Sequence, residues 1–184
     1  MSETFRYPAD AGELLVVVND DDEIVGYERK DRCHDGRGIL HRAISAYLVT
    51  PENQVLIQRR SERKRLWPLF WSNSCCGHPG PGEESLGAAL RRVREELGVS
   101  TSLEFAFKYR YEAAFGSAGS ENEYCYVYLG LAKPLTDVNP AEVADWRLVD
   151  AREMDRELVR REEVFTPWFR LGWQRLRAER GAPF

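Results

Sequence analysis

Long apolar runs are missing from this 184-residue chain, and nothing in it approaches the roughly 18 consecutive apolar residues that cross a bilayer, so no membrane partner is expected. The first ten residues, MSETFRYPAD, carry neither a basic nor an apolar region. No secretory signal is visible there, and the cytoplasm is the expected compartment. Cysteine is scarce: Cys33, Cys75, Cys76 and Cys125 are the four. Outside a secretory context they read as thiols, not as a disulfide framework. A basic excess is also absent, since 26 Lys and Arg face 30 Asp and Glu for a formal net charge of −4, which excludes a general nucleic-acid binder. There is no internal repeat and no low-complexity tract. With 43% hydrophobic residues the chain can bury a real core, and residues 1–184 are expected to form one catalytic domain. Residues 1–12 are expected to be a loosely ordered lead-in.

The elements follow from local pattern. Glu13–Val18 and Glu23–Glu28 flank Asn19-Asp20-Asp21-Asp22 and read as a hairpin. Lys30–Gly38 is polar and reads as a loop. Ile39–Thr50 and Gln54–Arg60 read as paired strands across Pro51-Glu52-Asn53. Ser61–Trp71 is irregular. In the next segment Leu86, Ala89, Leu90, Val93 and Leu97 recur at the spacing of one buried helical face, and Gly98 sits where a left-handed C′ residue is expected. Leu103–Tyr111 and Glu123–Leu131 are strand-like and joined through the Gly/Ser-rich segment Gly116–Ser120. Asp150 is expected to cap a helix through Arg160, and Thr166-Pro167 to open a last helix to about Arg180. This order predicts an α+β domain, a central mixed sheet with helices packed on its faces.

The chemistry gathers around Ser72–Val99, SNSCCGHPGPGEESLGAALRRVREELGV. Glu95 and Glu96 lie in the last helical turn, where the macrodipole disfavours negative charge. Such residues are either solvated partners of Arg91 and Arg92 or are offset by a cation. Glu121 and Glu123 share a strand face with Cys125, Val127 and Leu129, so the carboxylates stand at the mouth of an apolar core and need a partner, a proton or a metal. The three histidines are His34, His41 and His78. With two carboxylates they would make an N3O2 set suited to Mn, Zn, Fe or Mg. A cysteine–histidine zinc site on Cys33, His34, Cys75, Cys76 and His78 competes, although paired Cys-x2-Cys spacing is lacking. The basic clusters Arg59–Arg65 and Arg91–Arg94 read as solvated surface or as a clamp for a small anion such as a phosphate ester.

Gly77–Val99 resembles a Nudix box, G-x5-E-x7-R-E-U-x-E-E-x-G-U with U aliphatic, through Gly77, Glu83, Arg91, Val93, Glu95, Glu96, Gly98 and Val99. It departs where Arg92 replaces the first Glu after Arg91, a metal-holding position in Nudix hydrolases, which weakens a pyrophosphohydrolase reading. The whole chain from about Glu13 to Trp173 resembles the type I isopentenyl diphosphate isomerases, a family with a Nudix-like fold. The resemblance rests on His34 and His41, on Asn73-Ser74-Cys75-Cys76-Gly77-His78-Pro79, on Tyr111, on Glu121-Asn122-Glu123 and on Thr166-Pro167-Trp168.

That resemblance implies interconversion of isopentenyl and dimethylallyl diphosphate by protonation and deprotonation on opposite faces of an alkene. It implies Cys76 and Glu123 as the acid–base groups, with Tyr111 bonded to the carboxylate. It places Mn2+ or Zn2+ on His34, His41, His78, Glu121 and Glu123. It also implies a diphosphate held by Lys30, Arg60, Lys64 and Arg92, with Mg2+ on Glu96 and the Cys76 backbone carbonyl. Trp168 would face the developing cation, and Trp71 could line the cavity or pack in the core. Cys75 is expected to point away from the substrate, and Cys33 and Cys125 to be inert buried thiols. A diphosphate-sensing binding module without turnover is the non-enzymatic rival.

Overall fold

The computed structural model describes residues 13–180, so the lead-in 1–12 lies outside the described residues. The four-residue polar turn closes as its residue types dictate. Asn19 Oδ1 accepts from the amides of Asp21 and Glu23 at 3.0 and 2.9 Å, and Asp22 takes a left-handed φ of 64°. Strands β1 (Leu14–Val18) and β2 (Ile24–Arg29) form the hairpin around it. The expected loop at Lys30–Gly38 instead opens with one helical turn, α1 (Lys30–Cys33). A single turn has no apolar repeat to betray it, and this one buries only Cys33.

Strand β3 (His41–Val49) is the spine of the sheet. Along one edge it runs parallel to β8 (Ser120–Leu131), from His41 opposite Glu123 to Val49 opposite Leu131. Its other edge is shared in succession by β1 at His41, by β6 (Cys75–Gly77) at Ile44–Ala46, and by β4 (Gln54–Arg60) at Leu48 and Val49. Strand β4 also pairs with β5 (Trp71–Ser72) and β9 (Val143–Asp150). The sheet is completed by β7 (Leu103–Ala114) beside β8. Strand β9 has no counterpart in the sequence reading. Its apolar Trp146 and Leu148 alternate with Asp145 and Arg147 but stand 42% and 41% exposed, so polarity there does not report burial.

Side chains of β3 alternate between two layers. Ile44, Ala46 and Leu48 face α2 (Ser85–Leu97) and meet Ala88, Ala89, Val93 and Leu97. Ala43 and Tyr47 face the other way, in the core that contains Met154 of α3 (Ala151–Arg160) and Phe169, Trp173 and Leu176 of α4 (Pro167–Arg180). Full burial of such side chains contributes about 1.5–3 kcal/mol each. The α+β architecture with helices on both faces is as expected.

The buried face of α2 is a correction to the sequence reading. Leu86 and Leu90 are 42% and 38% exposed, whereas Ala88 and Glu96 are buried. Small residues at 88 and 89 let the helix sit close to the sheet, and that choice rotates the leucines outward. Gly98 does adopt a left-handed φ of 68° and donates its amide to Arg94. Asp150 caps α3 through the amides of Arg152 and Glu153. Thr166, by contrast, turns its hydroxyl to Ser72 Oγ at 3.0 Å.

Candidate active site

Strand register alone places the reactive side chains on one face. Tyr111 lies opposite Glu123 across β7 and β8, and Glu123 lies beside His41 across β8 and β3. Four residues along β3, Ser45 is opposite Cys76 of β6. Residues paired in register share a face, and positions 41 and 45 share one by the two-residue period. Cys76 and Glu123 thus reach the same side of the sheet from opposite edges of β3. Cys75, one residue away, turns into the α2 layer with Ala46, Val93 and Leu97, as expected.

At the Glu123 end, His34, His41, His78, Glu121 and Glu123 each present a ligand atom within 4.8 Å of the others. The three imidazole centroids are 4.9, 5.0 and 5.5 Å apart. His34 Nδ1 lies 2.6 Å from the carbonyl of Lys30, and His41 Nδ1 2.7 Å from that of Ile39. A carbonyl only accepts, so both Nδ1 atoms carry the proton and both Nε2 lone pairs point inward. His41 Nε2 and Glu121 Oε2 are buried without a hydrogen bond, although His34 Nε2 is 2.9 Å from the latter. A bare His41 nitrogen and an unsatisfied Glu121 oxygen, beside a His78 Nε2 that lies 3.1 Å from Glu123 Oε1, converge on one point and fit a divalent cation. The competing Cys–His set does not assemble, because Cys75 faces α2 and no cysteine joins the cluster.

Electrostatics separates the two ends of this face. Burial pushes the Cys76 thiol up to about 11, against the hydrogen bond from Ser45 and the charge of Arg60. Its Sγ donates to Asn73 Oδ1 at 3.0 Å. Burial works to raise Glu123, but the close His41 imidazole and the hydrogen bond from the Tyr111 hydroxyl outweigh it and hold the carboxyl below its ordinary value. Tyr111 donates to Glu123 Oε2, and burial with the nearby carboxylates keeps that phenol well above its ordinary value. At neutral pH the face carries a neutral thiol at one end and a phenol-bonded carboxylate at the other.

Both ends open on one cavity of about 420 Å³, lined also by Lys30, Arg60, Lys64, Arg92 and Trp168. Trp168 is 3% exposed, and its indole donates to Ser72 Oγ at 3.0 Å. The Arg60 guanidinium lies 5.1 Å over that indole and spends its Nε and Nη2 on the carbonyls of Trp67 and Leu66. Arg92 Nη2 reaches Glu96 Oε1 at 2.5 Å, and Gln58 Nε2 donates to Glu96 Oε2 at 2.8 Å. The misplaced charge at the end of α2 is therefore offset by Arg92 and Gln58. Glu96 and the fully buried His41 are the two expected site residues that do not line the cavity wall. Gly77 is required here, since a Cβ would come within 2.7 Å of Arg92 Cγ.

Residues 39–169 match the NUDIX domain model. The chain is 36% identical over 163 residues to isopentenyl-diphosphate Delta-isomerase 1 of Photorhabdus laumondii, covering 88% of this chain and 93% of that protein. It is 39% identical over 168 residues to the isopentenyl-diphosphate Delta-isomerase of Paenarthrobacter aurescens, with 90% and 91% covered. The chain belongs to the isopentenyl-diphosphate Delta-isomerase family of NUDIX proteins. A Deinococcus radiodurans crystal structure, 23% identical, superposes with a TM-score of 0.73 over 89% of this chain and 98% of that one, which supports the fold.

Within this NUDIX isomerase, the box glutamate and arginine act as a brace. Arg91 pairs with Glu83 through Nε at 2.7 Å and Nη2 at 2.8 Å, and Nη2 also donates to the carbonyl of His78 at 3.2 Å. The loop that carries His78 is thereby fastened to α2. Sequence reasoning gave no role to Ser45, Gln58, Glu13 or Glu142. Ser45 had a signal, being a lone polar residue inside the apolar run Ala43–Val49, whereas Gln58 is followed by Arg59 and Arg60 and reads as the polar end of its strand. Glu13, 2.7 Å from Lys30 Nζ, and Glu142 had none, because their partners come from distant segments. Trp71 does not line the cavity; Arg147 stacks on it at 4.8 Å. No described helix is long and apolar enough to cross a membrane.

Proposed function

We propose that this protein interconverts isopentenyl diphosphate and dimethylallyl diphosphate by adding a proton to one alkene carbon and removing one from the carbon two bonds away. The observation that carries the reading is that Cys76 and the Tyr111–Glu123 pair line one cavity from opposite edges of β3. A 1,3-shift of a double bond needs one proton delivered and one taken, so the two groups between them balance the reaction. Burial favours the neutral thiol of Cys76, which suits a proton carrier that must not act as a nucleophilic thiolate toward a carbocation. Trp168 offers an aromatic face able to stabilise that cation without bonding to it.

Lys30, Arg60, Lys64 and Arg92 bind the diphosphate, and charge-assisted contacts at that end orient an alkene tail that has no polar handle. A divalent cation held by His34, His41, His78, Glu121 and Glu123 supplies, when bound, a positive charge that keeps Glu123 ionised and fixed in place. Mn2+ and Zn2+ suit the mixed imidazole–carboxylate donors. Glu96 and the Cys76 carbonyl would hold a Mg2+ that neutralises the diphosphate, Glu96 exchanging its present bond to Arg92 for the ion. Arg92 stands where a hydrolytic glutamate of the Nudix box would hold metal, which favours isomerisation over pyrophosphate cleavage. We place the reaction in the cytoplasm, a reading supported by four free thiols.

The test is incubation with isopentenyl diphosphate and divalent metal in deuterium oxide, followed by proton NMR. Dimethylallyl diphosphate carrying deuterium is the expected product. Phosphate release from a nucleoside diphosphate panel without alkene exchange would replace this reading with the hydrolase one, and binding without any turnover would replace it with a sensor.

A further inference from the structure

Two of the cations that line the cavity are joined by a single carboxylate. Glu142 Oε2 pairs with Lys64 Nζ, and Glu142 Oε1 lies 3.1 Å from Arg92 Nη2. The Lys64, Glu142 and Arg92 side chains are 25%, 22% and 16% exposed, so this is a largely desolvated bridge and not a surface pair. Lys64 and Arg92 line the cavity; Glu142 does not. It stands behind them.

The backbone around Glu142 is tied to the carriers of both cations. Ser61 donates its amide to the Glu142 carbonyl at 2.9 Å, and the Ser61 carbonyl accepts from the Lys64 amide at 3.2 Å. On the other side, the Asn139 amide donates to the carbonyl of Glu96 at the end of α2, and the Glu142 amide donates to Asn139. One short strap thus connects the Lys64 turn to the helix that bears Arg92. A lysine stem is flexible and its ammonium prefers water, while two like charges brought to one wall repel each other. A carboxylate between them removes both tendencies and leaves their remaining N–H groups for an anion in the cavity.

We propose that Glu142 is a positioning residue that fixes the spacing of Lys64 and Arg92 and so sets the affinity of the cavity for a diphosphate. The inference rests on the diphosphate-clamp reading given above. A carboxylate that merely occupied the anion site would line the cavity and would compete with substrate, and its removal would tighten binding. Glu142 behind the wall predicts the opposite sign.

The experiment uses the full chain with inorganic pyrophosphate and Mg2+ as the binding probe, followed by calorimetry, alongside KM and kcat for isopentenyl diphosphate. Glu142→Gln is expected to weaken pyrophosphate and raise KM by about 10-fold while kcat stays within about 3-fold, because only ground-state anchoring is lost. Glu142→Asp, one methylene too short to span both cations, is expected to fall between the two and serves if the glutamine variant folds poorly. In a Lys64→Ala background the glutamine substitution is expected to add less than about 3-fold, as for residues that act through one another. Unchanged or tighter pyrophosphate binding in Glu142→Gln overturns the proposal. So does a fall in kcat at constant KM, or effects of Glu142→Gln and Lys64→Ala that simply multiply. Pyrophosphate binding unaffected by both Lys64→Ala and Arg92→Ala would instead remove the clamp reading, and this inference with it.

Discussion

The hydroxyl of Tyr111 lies 2.5 Å from Glu123 Oε2, on the strand position directly across from it. Burial and the charge of Glu123 keep the phenol protonated, so it remains a donor to the carboxylate. The Tyr111→Phe variant keeps the ring packed near Trp168 and deletes only that donor. A hydrogen bond to a charged group contributes about 1.5–3 kcal/mol, so kcat is expected to drop roughly 10- to 100-fold with little change in KM. Steady-state isomerisation measured by NMR checks this, and wild-type kcat in the phenylalanine variant would remove Tyr111 from the acid–base machinery.

Adjacent cysteines make a sharper comparison. Cys76 faces the cavity with its thiol on Asn73, while Cys75 is fully buried against Val93 and Leu97. Cys76→Ala is expected to lose about 10³-fold or more in kcat without unfolding. Cys75→Ala removes one buried sulfur for about 1 kcal/mol of stability and is expected to keep activity within about 3-fold. Parallel kinetics and thermal melts of the two variants decide it. Equal losses in both would mean that the strand register does not separate their roles.

Why was so much of this site legible in the sequence, and why not the rest? Cys76, His78 and the Glu121–Glu123 pair sit in short stretches whose residue types conflict with their surroundings: carboxylates opening an apolar strand, a thiol in a Gly/Pro loop. Such conflicts are visible without tertiary structure. Period-two alternation likewise fixed which way Glu123 and Cys75 would face. What escaped depends on long-range pairing. Glu142 meets Lys64 across 78 positions and Gln58 meets Glu96 across 38. The α2 face was misassigned because periodicity counts Leu86 and Leu90 as core, whereas close approach to the sheet selects alanines and admits a buried Glu96 bonded to Arg92 and Gln58. Strand β9 escaped because an edge strand with exposed Trp146 and Leu148 carries no in–out polarity signal.

The Glu83–Arg91 brace yields a prediction about metal affinity. Arg91 is the donor that ties the His78 carbonyl to α2, so Arg91→Ala frees the loop while leaving every imidazole and carboxylate of the cluster in place. Partners one step removed from a metal ligand typically change affinity by about 10- to 100-fold. Mn2+ or Zn2+ binding is expected to weaken by that factor, while the solvent-accessible ion pair itself contributes only about 1 kcal/mol to folding. Competition with a chelator of known affinity measures it. Unchanged metal affinity in Arg91→Ala would show that His78 is held in position by the adjoining strand β6 alone.

Glu142 also makes stability depend on pH. Burial raises its carboxyl, but the hydrogen bond and charge of Lys64 and the charge of Arg92 overcome this and hold it at about 2 against an ordinary 4.5. A carboxyl depressed in the folded state contributes stability that is fully present above 4.5 and is lost as pH falls toward 2. Glu142→Gln carries no titrating charge at this position, so the stability difference between wild type and variant isolates the bridge. After allowance for partial solvent screening, that difference is expected to be on the order of 1–3 kcal/mol at pH 7 and to shrink steadily between pH 4.5 and 2. Urea unfolding of both proteins at pH 7, 4.5 and 3 measures it. A difference that stays flat across this range would mean that Lys64 and Arg92 gain nothing from the ionised carboxylate, and the bridge would then be packing and not charge.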